Sequence, residues 1–127
     1  SPPPPPPPPQ GCGRLDSGES LYPGQGVRSC NGRARFVHQT DGNIVLYGDG
    51  RVLAASHILD SWSDVLTMQD DGNLVQYDRG GRAIWSSGTY GNYGAQLRVQ
   101  DDCNVVLYDR GGRAIWHTNT AGCVPEP

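Results

Sequence analysis

Three stretches of this chain are copies of one another, and that repetition limits the fold more than any other feature. Phe36 to Ala54, Leu66 to Trp85 and Leu97 to Trp116 align at offsets of 30 and 31 residues. Each carries one nonapeptide, read as QTDGNIVLY, QDDGNLVQY and QDDCNVVLY. A unit this short cannot bury its own apolar face, so the copies must stack against one another. Five residues recur at alternate positions: Gln39, Asp41, Asn43, Val45 and Tyr47; Gln69, Asp71, Asn73, Val75 and Tyr77; Gln100, Asp102, Asn104, Val106 and Tyr108. The positions between them drift: Thr or Asp, Gly or Cys, one of three aliphatics, and Leu or Gln. Core packing tolerates such swaps, so a mostly polar set held invariant in three copies answers a demand from outside the core.

The spacing also dictates a local shape. A straight strand would set Gln39 and Tyr47 ~26 Å apart, too far for one small ligand to bridge, so the chain must fold back between them. Asp41-Gly42 and Asp71-Gly72 are hairpin signals, suited to a three-residue loop with glycine in the left-handed position. The predicted register sets Gln39 opposite Asn43, His38 opposite Ile44, Val37 opposite Val45 and Phe36 opposite Leu46. Because faces alternate, Phe36, His38, Ile44 and Leu46 share one side. Leu66, Met68 and Leu74, then Leu97, Val99, Val105 and Leu107, match them in the later copies. That side is the expected core. Gln, Asn, Val and Tyr then project together from the other side with the loop Asp beside them, one polar patch per hairpin.

After each hairpin comes a second turn, GDGR or DRGGR, and a short strand: Val52-Leu53-Ala54, Ala83-Ile84-Trp85 and Ala114-Ile115-Trp116. Three short sheets with their apolar faces turned together bury such repeats most economically. Trp85 and Trp116 are expected near the shared axis. Ala54 stands where a third Trp belongs, and Trp62 packing inward, a partner chain, or a small void beside a surface Trp62 are the alternatives. Composition agrees with short strands: 18 glycines, one Phe, one Met and 35% apolar residues leave little for bulky amphipathic helices. Pro2 to Pro9 form an unbroken run, read as a spacer, so we expect residues 1–10 to be a proline-rich tail or linker, 11–123 one domain and 124–127 a C-terminal tail. The start at Ser1 suggests a processed or excised product. No apolar run reaches the roughly 20 residues that span a bilayer, so no membrane insertion is expected. Ten Arg and no Lys among thirteen acids, for a net charge of −3, make nucleic acid a poor partner.

Cys12, Cys30, Cys103 and Cys123 show no CxxC spacing of a zinc or redox site. With so little apolar matter to bury, cross-links are useful, which points to an oxidising, secreted or extracellular setting. Cys12 with Cys30 and Cys103 with Cys123 is the working pairing; two other connectivities stay open.

The patch suits a neutral sugar, whose hydroxyls both donate and accept. Asp accepts, Asn, Gln and the Tyr hydroxyl do both, and Val supplies an apolar contact. At these residues the chain resembles the bulb-type mannose-binding lectins, whose signature QxDxNxVxY stands complete in all three copies. The resemblance takes in the N-terminal segment LDSGESLYPGQGVRSCNGRARF and the endings IWSSGT and IWHTNT. It implies a β-prism II fold, three four-stranded antiparallel sheets about a pseudo-threefold axis, and calcium-independent binding of α-D-mannose with no cofactor. Carried over by position, the Asp and Asn of each copy would hold the axial 2-hydroxyl, Gln the 3-hydroxyl and Tyr the 4-hydroxyl, with Val against the ring carbons. It further implies a Cys103–Cys123 bridge, since some relatives link a turn Cys to one some twenty residues on. Many relatives dimerise by exchanging a C-terminal strand, which that bridge would hold at home, so a homodimer and a monomer both stay open. Cys103 replaces the turn glycines, and a left-handed Cys carries about 1–2 kcal/mol of strain.

Other functions fit less well. A glycosidase needs two carboxyls about 5–10 Å apart, and each hairpin offers one invariant Asp; Asp70 and Asp101 become Thr40 in the first copy and are expected to point away. His38, His57 and His117 do not recur in register and no Ser-His-Asp triad can be argued, so His38 is expected to be a satisfied core or rim residue. A calcium site needs about six oxygen ligands, and no EF-hand spacing is present. The alternative to a lectin is a β-prism protein-interaction scaffold, or a targeting module of a larger secreted or surface protein, using the patches or the proline run.

Overall fold

The computed structural model describes residues 11–60 and 62–126. Twelve strands run β1 (Arg14–Leu15), β2 (Ser20–Leu21), β3 (Gly26–Arg28), β4 (Ala34–His38), β5 (Ile44–Gly48), β6 (Arg51–Ala55), β7 (Ser63–Met68), β8 (Leu74–Asp78), β9 (Ala83–Ser86), β10 (Gln96–Val99), β11 (Val105–Tyr108) and β12 (Ala114–His117). They form three four-stranded antiparallel sheets, ordered β3-β4-β5-β6, β2-β7-β8-β9 and β1-β10-β11-β12. This is the β-prism II architecture that the resemblance implies. Each repeat supplies three strands of a sheet. The fourth comes from the N-terminal segment, which deals β1, β2 and β3 to the third, second and first copies in reverse order. The proline run lies outside the described residues.

The hairpin register is the expected one. Phe36 pairs with Leu46, Val37 with Val45 and His38 with Ile44, and the turn closes through Gln39 N–H to the Asn43 carbonyl at 2.9 Å. The apolar face assigned to the core is buried in every copy, from Phe36 and Ile44 at 4% exposure to Leu66, Met68, Leu97 and Leu107 at 0%. Each short N-terminal strand adds one plug to it: Leu15 opposite Leu97, Leu21 opposite Leu66 and Val27 opposite Phe36. Sheets of strands two to six residues long with one apolar face need that face covered, and here the three faces cover one another.

At the nonapeptide turns the chain needs positive φ. Gly42 and Gly72 take it at 91° and 90°, and a Cβ on either would run into backbone, that of Asp60 and of Asn92. Cys103 takes φ 72° at the same place, fully buried and bridged to Cys123. Both disulfides follow the working pairing, with Cα atoms 5.0 Å apart in Cys12–Cys30 and 4.9 Å in Cys103–Cys123.

One alternative offered for the Ala54 gap is overturned. Leu46 pairs with Ala54 as Gln76 does with Trp85 and Leu107 with Trp116, so Ala54 stands in the third Trp's register position. Trp85 and Trp116 meet edge to face, centroids 6.0 Å apart, against the core. Trp62 does not join them: it is 60% exposed, with the Arg79 guanidinium 5.7 Å over its ring. The short segment between β6 and β7 takes it to the surface, where a cation replaces the missing aromatic neighbours. A cavity of about 300 Å³ remains beside Ala54, bounded by Phe36, Ile44, Leu46, Trp85 and Trp116. Glu126 also borders it, because the C-terminal segment binds β6 through Glu126 N–H to the Leu53 carbonyl at 2.8 Å.

Candidate functional site

Each hairpin brings its five recurrent residues to one patch on the outer face of its sheet, three patches in all. The loop Asp folds back on its own turn: Asp41, Asp71 and Asp102 each accept the N–H of the Asn two residues on through one oxygen, at 2.9, 2.9 and 3.0 Å. Such turns use one carboxylate oxygen, and in the first and third copies the other has no hydrogen-bond partner among the described residues. In the second copy the other oxygen accepts from the Gln69 amide nitrogen at 3.5 Å.

The Asn side chains are held by their oxygens. Asn43 Oδ1 accepts from the Ser56 hydroxyl at 3.1 Å and His57 N–H at 2.9 Å. Asn73 Oδ1 accepts from Ser87 at 3.3 Å and Thr89 N–H at 3.2 Å. Asn104 Oδ1 accepts from Thr118 and from Thr120 N–H, both at 3.2 Å. With its oxygen committed, each amide turns its Nδ2 hydrogens outward, where they meet no acceptor among the described residues. Ser56, Ser87 and Thr118 were not singled out in the sequence, although they follow the third strand of each repeat at a constant spacing of 31 residues.

Gln and Tyr meet at the other end of the patch. The Gln39 and Gln100 amide nitrogens donate to the Tyr47 and Tyr108 hydroxyls, whereas Tyr77 donates to Gln69 Oε1 at 2.9 Å. All six side chains are half-buried, so the bond fixes a hydroxyl and an amide at the surface. Val45, Val75 and Val106 correct the picture of projecting contacts. At 2–3% exposure they form the floor of the patch, flanked within the sheet by Ala55, Ser86 and His117 of the third strands.

Other expectations also resolve. Asp70 accepts the Ser17 hydroxyl at 2.8 Å and Asp101 the Asn31 N–H at 3.0 Å, so both carboxylates tie hairpins to the N-terminal segment. His38 is a core residue with both nitrogens occupied, 2.8 Å from the Leu21 carbonyl and 2.7 Å from Ser63 Oγ. A carbonyl only accepts, so Nδ1 carries the hydrogen and Nε2 accepts from Ser63. Burial holds the His38 pKa below its ordinary value of 6.5, against the opposing pull of the Leu21 carbonyl. The third patch continues into an open depression of about 620 Å³ bounded by Gln100, Asp102, Tyr108, Arg98 and the Cys12–Cys30 bridge.

No family model matches the chain. Individual proteins do. The chain is 49% identical over 75 residues to the B-type lectin plumieribetin of Scorpaena plumieri, covering 59% of this chain and 66% of that protein. It is 45% identical over 65 residues to the mannose-specific lectin of Narcissus pseudonarcissus, covering 50% and 57%. These matches leave a third or more of each relative's length uncovered. Solved structures align more completely. The Marasmius oreades lectin superposes with a TM-score of 0.80 at 35% identity, over 88% of this chain and 94% of its own. The monomeric monocot mannose-binding lectin of Gastrodia elata gives 0.76 at 39%, over 86% and 98%. The snowdrop (Galanthus nivalis) agglutinin, complexed with methyl-α-D-mannoside, gives 0.68 at 37%, over 85% and 96%. Three prism faces, a hairpin patch on each and this identity across nearly whole domains agree: the chain belongs to the bulb-type mannose-binding lectin family.

Proposed function

We propose that the chain is a carbohydrate-binding lectin that takes mannose and mannose-rich glycans at three patches without calcium. The observation that carries this reading is the pairing, in every copy, of an Asp carboxylate anchored to its turn by one oxygen with outward Asn Nδ2 hydrogens on the same short turn. An acceptor and a donor held side by side match one sugar hydroxyl, which donates to the first and accepts from the second. The Gln–Tyr pair offers a second such couple for the neighbouring hydroxyls. An epimer with one hydroxyl misplaced would leave a group unsatisfied, at about 1–3 kcal/mol. The mannoside in the snowdrop complex makes mannose the specific choice. By position, Asp41 and Asn43, Asp71 and Asn73, and Asp102 and Asn104 hold the 2-hydroxyl; Gln39, Gln69 and Gln100 the 3-hydroxyl; Tyr47, Tyr77 and Tyr108 the 4-hydroxyl. Val45, Val75 and Val106 keep these groups at their spacing from below.

A shallow site with four or five hydrogen bonds binds near the millimolar level, ~4 kcal/mol. Three sites facing apart on one rigid domain raise capture of a branched glycan by roughly 10² to 10⁴. The activity is capture of mannose-rich surfaces, with no catalysis. Two disulfides suit a secreted protein, and among the described residues no helix is long and apolar enough to cross a membrane. The test is the triple variant Asn43→Asp, Asn73→Asp, Asn104→Asp, which keeps an acceptor oxygen at the Oδ1 position and replaces the outward donor with a charged acceptor. Mannan binding should be lost while the far-ultraviolet spectrum is unchanged. Mannan binding equal to the parent's would refute the proposal.

A further inference from the structure

The first hairpin is held differently from the other two. In the second copy, the Thr89 hydroxyl donates to the turn carbonyl of Gly72 at 2.6 Å and lies 2.7 Å from the Ser87 hydroxyl. The third copy repeats this with Thr120 on the Cys103 carbonyl at 2.8 Å and 2.7 Å from Thr118. In both, the segment following the sheet grips the turn that presents Asp and Asn. In the first copy that segment reads Ser56-His57-Ile58, with no second hydroxyl. The Gly42 carbonyl is reached instead from the neighbouring sheet: Gln76 Nε2 donates to it at 2.6 Å and also to Ser63 Oγ at 2.7 Å.

Gln76 is anomalous by itself. Its counterparts in the other hairpins are Leu46 and Leu107, both core residues. Gln76 is equally buried, at 0% exposure, and its Oε1 has no hydrogen-bond partner. A buried amide oxygen without a donor is destabilising, and leucine would avoid it. What the glutamine supplies is a directed chain: Gln76 donates to Ser63, Ser63 to His38 Nε2, and His38 Nδ1 to the Leu21 carbonyl. This chain leaves the second amide hydrogen aimed at Gly42.

We propose that Gln76 is a positioning residue for the first sugar site, supplied by the second sheet, which locks the Asp41–Asn43 turn where the first repeat lacks the threonine used by the others. The first site therefore depends on its neighbour in a way the second and third do not. This rests on the lectin reading above and refines it.

The test is Gln76→Leu, installing the residue of the other two copies, followed by ¹⁵N NMR titration with methyl α-D-mannoside. The amides of Asp41 and Asn43, Asp71 and Asn73, and Asp102 and Asn104 report the three sites separately. The expected result is a first-site Kd raised about tenfold or more, the other two changed less than twofold, and a melting temperature unchanged or higher. A merely structural role would lower the melting temperature and weaken all three sites together, and that outcome would overturn the proposal, as would a first-site Kd within twofold of the parent's. Thr120→Val, the matched lesion in the third copy, should weaken only the third site. Should Gln76→Leu not fold, Gln76→Met makes the same comparison with an unbranched chain. If the parent protein binds the mannoside at none of the three sites, it is the lectin reading that has failed.

Discussion

Filling the gap beside Ala54 should stabilise the protein. Ala54→Trp places an indole at the register position that Trp85 and Trp116 occupy in the other sheets, facing a cavity of about 300 Å³. A buried Trp covers 150–250 Å², and one half-buried like its two counterparts removes roughly 100 Å² from water, about 2.5 kcal/mol. Contact with the Trp85–Trp116 pair adds about 0.5–1.5 kcal/mol. Fixing the side chain and displacing Glu126 from the rim oppose this by about 1–2 kcal/mol. The net gain is about 2 kcal/mol, and for a domain this size roughly 4 °C per kcal/mol moves the melting point up by about 8 °C. Thermal unfolding with both disulfides oxidised, repeated in urea, measures it; the urea slope should not change, because the exposed surface is nearly the same. A melting point equal to or below the parent's would show that the cavity is not an indole-shaped vacancy and that the threefold packing argument is wrong.

Trp62→Ala should change stability by less than about 0.5 kcal/mol in the same assay, since its ring lies at the surface on Arg79 rather than in the core. Removing the Cys103–Cys123 bridge by Cys123→Ser with Cys103→Gly should cost about 3 kcal/mol by loop entropy, partly offset by the glycine's ease at positive φ. His38 produces a pH effect whose sign is fixed. Its folded pKa is depressed by burial, so below its ordinary value of 6.5 the unfolded chain takes up a proton that the folded one refuses, and stability falls with pH. Urea midpoints should therefore drop between pH 7.5 and 5.5, and a flat profile would mean that His38 charges freely in the fold. Mannan binding should survive excess chelator, because Asp and Asn act through hydrogen bonds; loss of binding restored by added calcium would contradict that.

The repeat, the hairpin register, the buried face and the four polar patch residues of each copy could all be read from the chain because they are local. Alternation within a strand and the turn chemistry of Asp-Gly settle them within nine residues. That the cysteines form cross-links was within reach for a different reason, the scarcity of apolar material, but which pairs they form was decided by the tertiary structure. What the strands of one copy could not reveal is where the fourth strand of each sheet comes from. That choice was made by burial across the whole prism, which sends Leu15, Leu21 and Val27 to three different sheets. The same holds for Trp62, whose fate depends on Arg79 from a hairpin turn it is not adjacent to in sequence, and for the Val residues, flanked by a strand that returns beside them. Gln76 is the clearest case. In the nonapeptide it is only one drifting position among several, and its role exists because two sheets meet there, setting an amide from one copy against the turn of another.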